Sequence, residues 1–495
     1  MDLIMHDAPE FPEGTEWINT RFKVSLKNLR GNVVVLDFWT YCCINCIHLV
    51  PVFSEIEKKY SRMPVIILGI HSPKFDNEKK PSNVIEAVSR YGIEHPVALD
   101  RDMRIWRAFG VSAWPTVVII GPTGRVEFKA AGEISVAQLE LLIQDVIDKY
   151  RRNGLISRFR PRIKTSKPRN FSALSYPGKM SFSDDGSMFA LSDSNHNRII
   201  IADSEKGTIL NSIGGMKPGL SDGNFRESSF SRPQGVLWHS NKVYVADTGN
   251  HALREIDLDR KKVRTLAGTG SEGFLIDYGI EYDADGTALN SPWDVAAYRD
   301  YIFIAMAGLH QIWRYSMKNK TISIFAGSGR EDITDGDLEG ADFAQPSGLW
   351  LSGNKLYVAD SETSSIRSIS IKDRHVSTIA GEGLFRFGDA AGRLSETKLQ
   401  HPIGLCSSGT TIYVADTYNS AIKSIDVKTG ISSYVISGNK KSMCRFGDPE
   451  CDTLGLFEPN DVKVNGSNLY IVDTNNHLVR RLSLKDRLLK TLDVG

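Results

Sequence analysis

In roughly the first 150 positions the apolar residues come in short, unbroken blocks. Val33-Val34-Val35-Leu36, Val65-Ile66-Ile67-Leu68-Gly69-Ile70 and Val117-Val118-Ile119-Ile120 are β-branched runs that read as buried strands. Between them the period lengthens. Ile47 to Ile56 reads as a helix, Pro81 to Tyr91 puts Val84, Ile85 and Val88 on one face, and Val136 to Tyr150 is a closing amphipathic helix. Gly121-Pro122-Thr123-Gly124 joins Val117–Ile120 to Arg125–Ala130 as a hairpin. Strands alternating with helices predict an α/β domain with a central sheet over residues 1–150.

From residue 171 the pattern changes to four short β-rich runs that recur. One unit holds Pro233-Gln234-Gly235-Val236-Leu237, then Lys242 to His251, Leu253 to Ile256, and Val263 to Gly268. Copies begin at Pro177, Pro292, Pro346, Pro402 and Pro459, so six units follow one another 54 to 59 residues apart. Four strands in each of six repeats predict an all-β propeller with six blades over 171–495. An Asp recurs at the end of the second strand (Asp193, Asp247, Asp360, Asp416, Asp473), with Met306 in its place in the third blade. It is expected to cap the following turn. His196, His251, His310 and His477 are expected in turns or in the core.

The 495 residues imply two or three domains. A hydrophobic share of 41% and a charged share of 24% are those of a globular protein. The net charge of +1 supplies no general attraction to nucleic acid or membrane. The N-terminal residues carry no basic and apolar leader, and no run reaches the length of a membrane span, so the cytoplasm is the expected location. Residues 151–170 form a basic linker, from Arg151 and Arg152 to Lys167 and Arg169, without one acid. It reads either as a solvated connector or as a contact strip for an acidic partner or RNA.

The chemistry lies in Asp37-Phe38-Trp39-Thr40-Tyr41-Cys42-Cys43-Ile44-Asn45-Cys46. Cys43 and Cys46 form a C-x-x-C where a buried strand turns into a helix, the context of a thiol–disulfide site. A thiolate is the attacking species, and a helix N-terminus favours it. Cys43 sits at that end as nucleophile. Cys46, one turn on, can close a disulfide onto it, and a buried Asp37 can exchange protons with Cys46. Half of a zinc site and a copper site from Cys42, Cys46 and His48 are the competing readings. No second ligand pair with zinc spacing follows, so no metal and no cofactor are expected.

Asp37-Phe38-Trp39 with Cys43-x-x-Cys46 resembles the active-site segment of thioredoxins, above all the cytochrome-maturation type. The resemblance implies a cis proline facing the cysteines. Pro115, in Trp114-Pro115-Thr116, is the matching residue, with Trp114 beside it as a partner contact. Ile44-Asn45 replaces the usual Gly-Pro, so the redox potential does not transfer. The repeats resemble NHL repeats. Taken together, the chain resembles the NHL-repeat-containing protein 2 family, a thioredoxin-like domain followed by a six-bladed NHL propeller.

Three functions compete. The first is a thiol–disulfide oxidoreductase whose propeller recognises a protein partner. The second is a binding scaffold with a degenerate thioredoxin fold. The third is a propeller enzyme with metal-binding residues around its channel. For partner binding, Trp293, Met306 and Trp313 are expected to form an exposed patch, with Arg254, Arg367, Lys423 and Arg480 as a partial basic ring nearby. Cys444 and Cys451 fall in one loop.

Overall fold

A computed structural model describes residues 6–158, 161, 172–274, 276–436 and 455–495. Most of the 151–170 linker, Cys444 and Cys451 lie outside the described residues. The chain divides into two compact units, Met1–Arg169 and Asn170–Gly495.

The first unit is built on one six-stranded sheet in the order β1-β4-β3-β2-β5-β6. The strands are β1 (Trp17–Ile18), β2 (Val33–Trp39), β3 (Val65–His71), β4 (Val97–Leu99), β5 (Thr116–Ile120) and β6 (Val126–Ala131). β2 and β3 run parallel, and β5 pairs antiparallel to β2. Both central strands are buried along their whole length, which explains their unbroken apolar runs. Helices α1 (Ile44–Lys59) and α4 (Val136–Arg151) cover one face through Leu49, Phe53, Ile56, Leu139 and Ile143. On the other face, Ile105, Trp106 and Phe109 from and beside α3 (Arg104–Ala108) pack on Leu36, Phe38 and Ile70. Helix α2 (Pro81–Tyr91) buries Val84 and Val88, but Ile85 is exposed, at the edge of the expected stripe.

The second unit has six sheets, each built from one contiguous stretch: 177–213, 236–267, 292–326, 346–380, 404–436 and 461–492. Sheets two to four gain a short fifth strand on their outer edge. These are the six blades of a propeller. Innermost strands crowd at the axis: a Cβ on Gly235 would stand 2.6 Å from the Asp294 Cα.

Two devices recur around the ring. The first is a latch between blades. Asn197, His251, His310, Ser364, Ser420 and His477 each follow the tight turn after a second strand, at φ between 48° and 59°. Their side chains accept the backbone N–H of Arg232, Ser291, Gln345, His401, Glu458 and Tyr176, at 3.0 to 3.2 Å. Each donor directly precedes the proline that opens the next blade. Asn and His tolerate the left-handed region better than most residues, which suits them to this position.

The second device corrects an expectation. Asp247, Asp360, Asp416 and Asp473 accept no backbone N–H of the turn that follows them and hold it only through the side chain three residues on, from Asn250, Thr363, Asn419 and Asn476. They accept the N–H of Ser231, Ala344, Gln400 and Phe457, in the approach to their own blade's first strand. Their other oxygen meets Arg254, Arg367, Lys423 and Arg480, at 2.8, 3.3, 2.7 and 3.3 Å. All four cations are fully buried, so they form no basic ring on the surface. Blade three replaces the pair as a unit. Met306 takes the Asp place and its sulfur accepts the Asn290 N–H at 3.4 Å, while Trp313 takes the Arg place. Both are fully buried and Trp293 is half-buried, so the expected exposed patch does not exist either. The reason is common to both cases. The space within the blades is dry, so a charge there must be paired or both partners must be apolar.

Candidate functional site

Cys43 caps the N-terminus of α1, with extended backbone (φ −81°, ψ 118°), and its carbonyl accepts the N–H of Cys46 and Ile47. It is half-buried, whereas Cys46 is fully buried one turn in. Both are free thiols, and they are hydrogen-bonded to each other. Burial pushes the Cys46 thiol well above its usual range, and the bond with Cys43 adds to this. The helix end therefore exposes one thiol and shelters the other.

Asp37 lies beneath, in β2, on the sheet face that α1 covers. Burial pushes its carboxyl up to about 7, with His95 pulling the other way. A carboxyl with that affinity can take and return a proton near neutral pH. The Trp114–Pro115 bond is cis. Pro115 is buried, and Trp114 is half-buried, packed at a tilt against Trp106 with ring centres 4.3 Å apart. The Trp114 indole N–H donates to the Ser72 carbonyl at 3.0 Å.

The turn before Cys43 is held by a residue that sequence reasoning missed. Glu78 is fully buried and accepts four donors: the Thr40 hydroxyl at 2.7 Å and the N–H groups of Cys42, Lys74 and Phe75 at 3.1, 2.7 and 3.0 Å. It ties the Thr40–Cys42 turn to the segment after β3. Tyr41 is stacked on His71, with ring centres 5.5 Å apart, and its hydroxyl accepts the Asn77 amide. Burial lowers His71 to about 3. No motif in the sequence points to Glu78, since it stands outside the C-x-x-C segment in a polar run with no apolar period. Cys42 is buried beside Thr40 Oγ1 at 3.6 Å. His48 Nδ1 is bonded to Glu133 at 3.0 Å.

In the propeller the axis carries its own charges in neutral pairs. Lys179 Nζ donates to Asp294 at 2.9 Å and to the Ile403 carbonyl, and Lys463 Nζ donates to Asp461 at 2.8 Å. These carboxylates are neutralised by lysine.

Residues 31–126 match a family model described as thioredoxin-like, and 459–479 match an LVIVD repeat. The chain is 40% identical to NHL repeat-containing protein 2 of Bos taurus, across 98% of this chain and 71% of that protein. This chain belongs to the NHL repeat-containing protein 2 family. It is also 40% identical to Protein SUPPRESSOR OF QUENCHING 1, chloroplastic, of Arabidopsis thaliana, over 96% of this chain and 46% of that protein. Thiol-disulfide oxidoreductase ResA of Bacillus anthracis is 33% identical over 24% of this chain and 65% of its own length. The family's two parts are thus both present, a thioredoxin-like domain and a six-bladed NHL propeller. No helix among the described residues is long and apolar enough to cross a membrane.

Proposed function

We propose that this protein is a thiol–disulfide oxidoreductase acting through Cys43 and Cys46, with a propeller that binds the protein partner. The observation that carries the reading is the asymmetry of the two thiols. Cys43 is reachable at a helix N-terminus, and Cys46 is sheltered above a carboxyl that titrates near neutrality. Cys43 attacks, Cys46 resolves, Asp37 handles the proton, and Pro115 and Trp114 border the partner's disulfide. Similarity to a relative named as a thiol-disulfide oxidoreductase supports the same chemistry. Four buried or half-buried thiols, Cys42, Cys43, Cys46 and Cys406, suit a reducing compartment such as the cytoplasm.

The partner surface we favour is the propeller face that carries the loops between blades. Consecutive strands run antiparallel, so every such loop lies on one face. Met216, Phe274, Ile280 and Phe385 in these loops are exposed. Apolar side chains on one rim suit a protein partner more than RNA.

The test is insulin reduction with dithiothreitol as electron source. Wild-type protein should accelerate it, Cys43→Ser should abolish the acceleration, and Cys46→Ser should trap a mixed disulfide on Cys43. A wild-type rate equal to that of dithiothreitol alone, with nothing trapped, would leave the scaffold reading in its place.

A further inference from the structure

His95 and Glu57 have no part in the chemistry described so far, yet they adjoin its buried proton acceptor. β2 and β3 pair Asp37 with Gly69, and Gly69 pairs with Val97 of β4. Asp37, Trp39, Gly69 and His71 therefore project to one face of the sheet. His95 stands just before β4, and the neighbouring Pro96 carbonyl accepts the Gly69 N–H at 2.9 Å. The absence of a side chain at Gly69 opens the space above it. A Cβ there would lie 3.1 Å from Trp39 Nε1 and 3.3 Å from His95 Nε2.

Two buried polar atoms that border this space, Trp39 Nε1 and His95 Nε2, have no protein partner, and neither do Asp37 Oδ1 and His71 Nε2 on the same sheet face. Buried polar atoms are almost always paired, so four together mark a place where a proton or a water is handled. The other imidazole nitrogen, His95 Nδ1, faces Glu57 Oε2 at 3.4 Å. The His95 side chain is 4% exposed and that of Glu57 is 22% exposed. Phe53 packs edge-on against the imidazole and closes the remaining side. Cys46 and Asp37 feel each other's charge, as do Asp37 and His95, and His95 faces the more exposed Glu57.

We propose that His95 and Glu57 are positioning residues of a proton path that connects Asp37 with solvent during resolution by Cys46. The inference rests on the reading of Cys43 and Cys46 as nucleophile and resolving thiol. In that step Cys46 sulfur attacks Cys43 sulfur in the mixed disulfide. The Cys43–Cys46 bond forms, the bond to the substrate sulfur breaks, and the substrate leaves as thiolate. The dithiol is oxidised and the substrate disulfide is reduced. The Cys46 proton passes to Asp37 and on to His95 Nε2, directly or through one water. The imidazole releases its Nδ1 proton to Glu57. An imidazole serves here because it can accept at one nitrogen while donating from the other. The titratable groups around Asp37 are His71 from β3, Cys46 and behind it Cys43 from α1, and His95 itself; β5 contributes the apolar Val117.

The experiment uses the full chain and Ellman's reagent. The first thionitrobenzoate released reports attack by Cys43, and the second reports displacement by Cys46. In His95→Gln the second phase should slow by about tenfold or more at pH 6 to 7, less than the ~100-fold or more of a base in direct contact, because His95 acts through Asp37. The first phase should stay within twofold. The defect should shrink at pH 9, where hydroxide removes the Cys46 proton. Glu57→Gln should show a smaller effect of the same shape. Separately, the Asp37 carboxyl is titrated by 13C NMR, assigned with Asp37→Asn. Its midpoint should rise in His95→Gln, because His95 opposes the upward shift. An unchanged second phase with an unmoved midpoint overturns the path. Slowing of both phases alike at every pH also overturns it, since that marks a loosened fold. If wild-type protein shows no second phase, Cys46 does not resolve and the functional reading fails. The Asp37 midpoint then judges the contact with His95 alone.

Discussion

Replacing Asp37 by Asn is expected to make the thioredoxin-like domain more stable while slowing its chemistry. Burial raises the Asp37 carboxyl from 3.8 to about 7. A group whose folded value is raised binds its proton more tightly in the folded chain than in the unfolded one. For an acid this means that ionisation opposes folding. The Asp37 contribution to wild-type stability is therefore most favourable below pH 3.8, falls as the pH rises toward about 7, and then levels off. A shift of about three units at ~1.36 kcal/mol each amounts to about 4 kcal/mol of destabilisation above pH 7. Asn keeps the shape and has no charge to desolvate. At pH 8 the gain should approach that figure, and at pH 4 it should be small. Because the chain has two units, one melting temperature would mix their transitions. Hydrogen exchange read peptide by peptide over Val33–Trp39 and Val65–His71 isolates the sheet around Asp37. A difference below about 1 kcal/mol at pH 8, or the same difference at pH 4 and pH 8, would refute the argument. Stability gained at the cost of turnover is the usual sign of a residue kept for its chemistry.

Iodoacetamide at mildly acidic pH should label Cys43 at least tenfold faster than Cys46, because only Cys43 is reachable and burial holds the Cys46 proton; mass mapping reads the order. Arg367→Met should cost about 3–5 kcal/mol in urea unfolding of the propeller, since it strands Asp360 in a dry interior. The double change Asp360→Met with Arg367→Trp copies blade three and should recover much of that loss. Glu78→Gln should destabilise the Cys43 turn by about 1–3 kcal/mol and slow the first thionitrobenzoate phase, because an amide cannot accept all four donors as a carboxylate does.

The large elements were legible because each left a period in the chain. β2, β3 and β5 are apolar on both faces, and the propeller repeats its Pro and its Asp six and five times over. β4 and α3 escaped because three and five residues are too short to show a period. Asp100 holds α3 by accepting the N–H of Ile105 and Trp106, a tertiary device with no pattern of its own. Arg254, Arg367, Lys423 and Arg480 were misread because basic side chains are usually exposed. The correcting signal was present. Each stands seven residues after its Asp, and in blade three both positions turn apolar together, as Met306 and Trp313. The place of Cys43 and Cys46 at a helix start was legible from the C-x-x-C after a buried strand, whereas Glu78 and His95 come from segments outside the motif, and only the folded sheet brings them near it.

The seam between the sixth and first blades is the one place in the ring where no peptide link joins neighbours, yet it is fastened by the same latch as the rest. Tyr176 donates to His477, Thr474 donates to the Pro177 carbonyl, and the Tyr470 hydroxyl reaches the Ser204 carbonyl. Leu492 and Val494 tuck among Leu174, Phe189 and Leu191 of the opposite side. Side-chain fastening alone thus makes a closed circle out of a linear chain, and the circle has only one point that can part without breaking covalent bonds. Under a pulling force, rupture should start there and strip whole blades one at a time. Each blade is a single stretch of chain, so every step should release one repeat of similar contour length, a regular sawtooth in an optical trap.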